Sequence, residues 1–212
     1  MAHVSEPEFL VLHGLRLKGF AAPAVLAGLV ELRDDDVEGQ LAKLQTGGLV
    51  QYREGRITGW SLTPAGRSHH SERCSDELAT VGCRDAIDAA YRQFLAVNEP
   101  FLGVCTDWQL RGAADGTQVI NDHGDADYDA AVVGRLRSIH TAVEPICADL
   151  TGALSRYAPY GPRLGEALGK IEAGQQEWFT GALIESYHTV WFELHEDLLA
   201  TLGIPREAEA SR

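Results

Sequence analysis

No stretch of this 212-residue chain approaches the ~20 consecutive apolar residues that a helix needs to cross a bilayer. Its opening, MAHVSEPEFL, lacks the basic segment and apolar run of a secretory leader. Cys-x-x-Cys pairs are absent too: Cys74, Cys83, Cys105 and Cys147 stand far apart. That spacing argues against a zinc knuckle or a disulfide framework and for reduced, buried thiols. A cytoplasmic protein with no membrane partner is the expectation. Catalytic signatures are missing as well. G-x-S-x-G, H-E-x-x-H, a phosphate loop and a dinucleotide fingerprint do not occur, and His195-Glu196 has no second histidine four residues on. Neither enzyme activity nor a cofactor is expected.

Basic charge is scarce. Eighteen Lys and Arg face 31 Asp and Glu, a formal net charge of −13, whereas nucleic-acid binders carry a basic patch. The deficit is unevenly spread. Residues 1–70 hold seven basic and eight acidic groups, and residues 71–212 hold eleven and twenty-three. The second part is therefore the acidic one, and a phosphate backbone would repel it if it came close.

What the first seventy residues do have is punctuation. Ser5-Glu6-Pro7-Glu8 matches a capping box, and a helix through Phe9, Leu10, Leu12, Leu15 and Leu17 should end at Gly19. A second begins near Pro23 and carries Val25, Leu26 and Leu29. A third begins at Asp34, where Asp34 can cap, and buries Val37, Leu41 and Leu44 before Gly47-Gly48 stops it. Leu49 to Arg53 alternates as a strand, Glu54-Gly55-Arg56 can turn, and Ile57 to Leu62 returns. In Leu62-Thr63-Pro64-Ala65-Gly66-Arg67, Thr63 can cap a further helix with Pro64 at its first position.

Three short helices, a helix ending in GGLV, a two-stranded hairpin and LTPAGR follow the order of a winged helix-turn-helix. This third of the chain resembles the DNA-binding half of the MarR/PadR-type bacterial regulators, in which GLV and LTxxGR bracket the wing. The resemblance implies that residues 35–46 form the recognition helix, entering the major groove of double-stranded DNA. Gln40 would then suit an adenine edge and Lys43 a phosphate. Arg53 and Arg56 on the wing, with Arg16, Lys18 and Arg33, are the further phosphate candidates. Asp34, Asp35, Asp36 and Glu38 run against that pattern: they favour the positive end of the helix dipole yet repel phosphate. A winged helix serving protein contact, without DNA, therefore stays open as an alternative.

From Ser75 onward the periodicity is helical. Cys83, Ile87, Ala90, Phe94 and Val97 form a stripe that should end at Asn98-Glu99-Pro100, and residues 100–125 read as the least regular part. A long helix carries Val132, Leu136, Ile139, Val143, Ile146 and Leu150, with Pro145 allowing a kink. Within Asn121 to Asp129 the glycine and terminal glutamate of a calcium loop are lacking, so Asp125 or Asp127 reads as a helix cap. A short helix over 161–172, a loop over 174–181 and a last helix over 182–202, stopped by Gly203, complete the chain. The expected architecture is mostly α: a winged helix-turn-helix over 1–72 and an all-α bundle of four or five helices over 73–212.

Ile184, His188, Trp191, His195, Leu198 and Leu202 fall at heptad spacing on that last helix, which places two histidines in its apolar stripe. They line a small-molecule pocket, bind a metal or are satisfied core histidines. Seven residues span roughly 10 Å along the axis, so the pair cannot share one ion unaided. His123, His140 and Trp108 are the other pocket candidates, and no metal site is assigned. A winged helix followed by a helical domain is also similar to the GntR regulators with FadR-like sensors. NDHxDxxYD and SYHTVWFELHEDLL resemble an actinobacterial group of regulators whose relatives accompany phosphoenolpyruvate-utilising enzymes. Together these imply a homodimeric, DNA-binding transcriptional regulator with a helical dimerisation and effector domain. The alternatives are an accessory protein-interaction module, linked to a phosphoenolpyruvate-utilising system, or a metal- or metabolite-binding helical domain.

Overall fold

Helix-stopping glycines and prolines partition the first sixty residues as the sequence leads one to expect. The computed structural model describes residues 2–55, 58–112 and 117–209. Helices α1 (Pro7–Lys18), α2 (Pro23–Val30) and α3 (Asp34–Thr46) precede an antiparallel hairpin of β1 (Val50–Arg53) and β2 (Gly59–Leu62). Then follow α4 (Pro64–Val81), α5 (Arg84–Gln109), a second hairpin of β3 (Leu110–Gly112) and β4 (Gln118–Ile120), and α6 (Ala126–Ala153). A 3-10 turn (Ser155–Tyr157), α7 (Tyr160–Glu172), α8 (Glu177–Thr180), α9 (Tyr187–Leu202) and α10 (Arg206–Glu209) complete a mostly helical chain. No helix among the described residues is long and apolar enough to cross a membrane.

Two compact units emerge. One comprises Met1–Ile87, Ala153–Arg156 and His195–Arg212, the other Asp88–Gly152 and Tyr157–Leu194. In the first, the inward faces of α1, α2 and α3 meet the hairpin around Leu12, Leu15, Leu26, Val37, Leu41 and Leu62, all buried. Each such side chain contributes roughly 1.5–3 kcal/mol on burial, so this small core holds the three helices together. The α1–α2 connection is tied to the hairpin through Ala21, whose N–H donates to Trp60 O at 3.0 Å and whose O accepts from Trp60 N–H at 2.8 Å.

GGLV and LTPAGR interlock. Thr63 Oγ1 accepts from the Gly66 N–H at 3.0 Å and donates to Gly48 O at 2.7 Å, while the Thr63 N–H donates to Leu49 O at 3.0 Å. Thr63 thus caps α4 and pins it to the exit of α3. The Ser5 box does not form. Glu6 is the N-cap of α1 and makes no side-chain cap bond; Ser5 is buried and donates to Glu77 Oε1 at 2.5 Å. A long-range carboxylate outcompetes the local partner.

In the second unit α5 does not stop at Asn98 but continues through Pro100 to Gln109. Proline forfeits one backbone bond. The stripe of Ala90, Tyr91 and Phe94 runs on as Phe101, Val104, Cys105 and Trp108, all buried, and that burial outweighs the lost bond. Strands β3 and β4 and helix α8 are further elements that sequence periodicity missed, because three or four residues are too few to show a period. Phe179, fully buried, anchors α8. Helix α9 begins at Tyr187, five residues later than expected. Asp125 caps α6 as expected, accepting from the Tyr128 N–H at 3.0 Å. The four cysteines are free and buried.

Candidate functional site

Of the side chains expected to contact DNA, Gln40 and Lys43 lie on α3, Arg53 on β1, and Arg16 and Lys18 on α1. Lys43 is exposed on α3 and Gln40 half-buried, with Asp34, Asp35, Asp36 and Glu38 exposed around the amino end of the helix. Arg53 is exposed at the end of β1, and Arg56 lies outside the described residues. Arg16 from α1, Arg53 from β1 and Arg67 from α4 converge on a cleft of about 590 Å³ that is also lined by Gln51 and Ser61. Arg67 is a cation that sequence reasoning assigned only to the fold signature; it donates to Leu62 O at 3.1 Å. Other candidates are already engaged: Arg16 lies 3.5 Å from Glu196, and Arg33 lies 3.6 and 3.4 Å from Asp35 and Asp36. The Arg33 pairs are exposed and contribute ~0–1 kcal/mol, whereas the Arg16–Glu196 pair is half-buried. Lys18 is half-buried at the end of α1.

The six pocket candidates divide between the two units, His195 in the first and the other five in the second. Trp108 and His123 do meet, with ring centroids 4.4 Å apart, and Trp108 stacks on Phe179 at 4.4 Å. His123 Nδ1 lies 2.9 Å from Asp129 Oδ2, and Asn121 donates to Asp129 Oδ1 at 2.8 Å and to Trp108 O at 3.1 Å. These bonds bind the loop before α6 to the end of α5. Trp191 is a packing anchor: it is buried, stacked on Phe101 at 4.3 Å, and donates from Nε1 to Asn98 Oδ1 at 2.9 Å. His188 is half-buried over Phe101, and burial lowers its pKa. His140 Nδ1 lies 3.2 Å from the Tyr187 hydroxyl; burial lowers its pKa, opposed in part by Glu144 and Glu172. His195 is buried and belongs to the other unit.

A second group escaped sequence reasoning. His13 of α1, His70 and Cys74 of α4, and Asp197 of α9 lie together inside the first unit, 3%, 2%, 1% and 1% exposed. His13 Nε2 is 2.9 Å from Asp197 Oδ1, and His13 Nδ1 is 2.9 Å from His70 Nε2. Cys74 Sγ is 3.5 Å from His70 Nε2 and 3.9 Å from its Nδ1. Burial, reinforced by His13 and Arg16, pushes the His70 pKa down to about 2, and burial pushes the Cys74 thiol up to about 12. Neutral imidazole and neutral thiol are therefore the resting forms. The i, i+4 spacing of His70 and Cys74, which puts both on one helical face, was the legible signal. His13 and Asp197 gave none.

No protein family, curated protein or solved structure matches this chain.

Proposed function

We propose that the first unit carries a winged helix-turn-helix of the MarR/PadR kind and that the chain is a homodimeric, DNA-binding transcriptional regulator. One observation carries the reading. Helices α1, α2 and α3 are followed directly by the β1–β2 hairpin, and the Ala21–Trp60 pair couples the α1–α2 connection to that hairpin. Val37, Leu41 and Leu44 of α3 share one core with Val50 and Leu62 of the hairpin, which supports a joint reader of groove and flanking backbone. Gln40 and Lys43 on α3 face base edge and phosphate in this reading, and Arg16, Arg53 and Arg67 take the backbone beside the wing. A dimer is part of the proposal because one such module contacts too few base pairs for specificity. The helical second unit would supply dimerisation and an effector site.

The acidic amino end of α3 supports a second reading, an accessory module whose α3 meets a basic protein surface. Gel-shift titration of the intact protein against its upstream intergenic DNA at two salt concentrations separates the two. The regulator binds at low salt and weakens steeply as salt rises, with Lys43→Ala or Arg53→Ala lowering the logarithmic salt slope by about one each. Absence of binding even at low salt would overturn the regulator.

A further inference from the structure

His70 Nε2 receives two neighbours it cannot serve at once. A neutral imidazole nitrogen carries either one proton or one lone pair. Donating to His13 Nδ1 at 2.9 Å leaves no lone pair for the Cys74 thiol at 3.5 Å, and the other ring nitrogen lies farther off at 3.9 Å. On the far side of His13, Asp197 at 2.9 Å holds the Nε2 proton and so turns the Nδ1 lone pair inward. The His13 Nδ1 lone pair, His70 Nε2 and the Cys74 sulfur thus face one another, with one potential ligand atom from each residue within 4.8 Å of the others.

We propose that His13, His70 and Cys74 form a buried binding site for a single zinc-class divalent cation, with Asp197 as the carboxylate that orients His13. The donor set of two imidazoles and one thiolate suits this borderline-soft ion and disfavours magnesium or calcium. Its bond lengths, ~2.0–2.1 Å to nitrogen and ~2.3 Å to sulfur, imply ligand spacings near ~3.4 Å for N···N and ~3.6 Å for N···S. The observed 2.9 and 3.5 Å need the imidazoles to part by about half an ångström, and the third spacing, within 4.8 Å, needs His13 and Cys74 to draw to about 3.6 Å. On binding, the His70 proton shifts from Nε2 to Nδ1, which frees Nε2 to ligate, while the Cys74 S–H bond breaks and its proton leaves to solvent. The thiolate and the Asp197 carboxylate then neutralise the dication. Phe9, stacked on His70 at 5.7 Å and 5.6 Å from His13, shields the donors from solvent. Water takes the fourth position.

Full-length protein stripped with a chelator and titrated with cobalt(II) tests this. One equivalent should bind with a thiolate-to-cobalt charge-transfer band and the intense visible bands of four-coordination. Cys74→Ser should lose that band and weaken binding by at least ~100-fold, and Asp197→Asn should keep it while weakening binding ~10–100-fold. Zinc-edge absorption on the wild type, which requires no variant to fold, should count one sulfur and three nitrogen or oxygen neighbours. A wild type that binds nothing, a coordination shell without sulfur, or a band that survives Cys74→Ser would overturn the site. Unchanged affinity in Asp197→Asn would overturn the orienting role. In the overturned case the four side chains are a hydrogen-bonded polar core.

Discussion

Gly66 sits against Leu49 so closely that a Cβ at position 66 would lie 1.9 Å from the Leu49 carbonyl oxygen. The first turn of α4 can pack on the entry to the hairpin only because residue 66 has no side chain. Backbone, rather than a flexible side-chain tip, occupies the space. Gly66→Ala should therefore lower stability by about 3 kcal/mol, the upper end of overpacking penalties. The matched control is Gly39→Ala within α3, where an added Cβ meets nothing within 4 Å, and which should gain up to about 1 kcal/mol of helix propensity. Urea unfolding midpoints at unchanged slope would show the opposite signs.

Charge around α3 gives a second test. Asp35 and Asp36 hold Arg33 and repel phosphate. At ~10 Å through water each carboxylate contributes about 0.4 kcal/mol of repulsion, or twofold in affinity. In the proposed regulator, the double substitution Asp35→Asn with Asp36→Asn should tighten DNA binding about fourfold at low salt and leave high-salt binding nearly unchanged. Fluorescence anisotropy with a labelled duplex measures it, and tighter binding that persists at high salt would contradict the electrostatic account.

Acid should weaken the second unit. Burial lowers the pKa of both His140 and His188, with Glu144 and Glu172 opposing the shift at His140. Below the unfolded value of about 6.5 the unfolded chain takes up protons that the folded one resists. The stability contributed by these neutral rings is therefore complete above that pH and is lost as pH falls toward the folded values. His188→Phe, which preserves the stacking on Phe101, should lose less in melting temperature between about pH 7.5 and about pH 5.5 than the wild type. Equal losses would exclude His188 as a contributor.

Thiol reactivity should be graded. Burial pushes Cys105 up to about 12 and Cys147 up to about 11, the latter with help from Glu144. Against an ordinary thiol near 8.5, Cys105 then carries about 10³-fold less thiolate at neutral pH. A colorimetric disulfide reagent should leave Cys105 and Cys147 unmodified in the native protein on the timescale that labels a free thiol. All four cysteines should react after denaturation. Rapid native labelling of Cys105 would mean that α5 opens locally.

Local chemistry was legible and convergence was not. Gly19, Gly47 and Gly203 mark real helix ends, Thr63 and Asp125 are real caps, and Val37, Leu41 and Leu44 are buried on one face of α3. On the α3–hairpin face, Lys43 and Arg53 stand exposed where the sequence suggests. Arg67 went unread because its place depends on how α4 leaves the hairpin. His188 and His195 drew attention through their spacing on one helix. Heptad positions describe a helix with one buried stripe, whereas α9 buries Leu194, Asp197, Leu199 and Ala200 around several sides.

Taken by itself, the sequence determined a mostly helical chain, its glycine and proline punctuation, the hairpin after α3 and a net acidity carried almost wholly by residues beyond 70. Those features depend on neighbours a few positions away, where backbone sterics and side-chain period decide the outcome. Tertiary structure alone decided that Ser5 abandons its cap for Glu77, that α5 passes through Pro100, and that His13 meets Asp197 across 184 positions. The first trades a helix cap worth about 1 kcal/mol, and the second a proline penalty of about 3 kcal/mol, against burial that outweighs them. The sum is known only once the partners are in place.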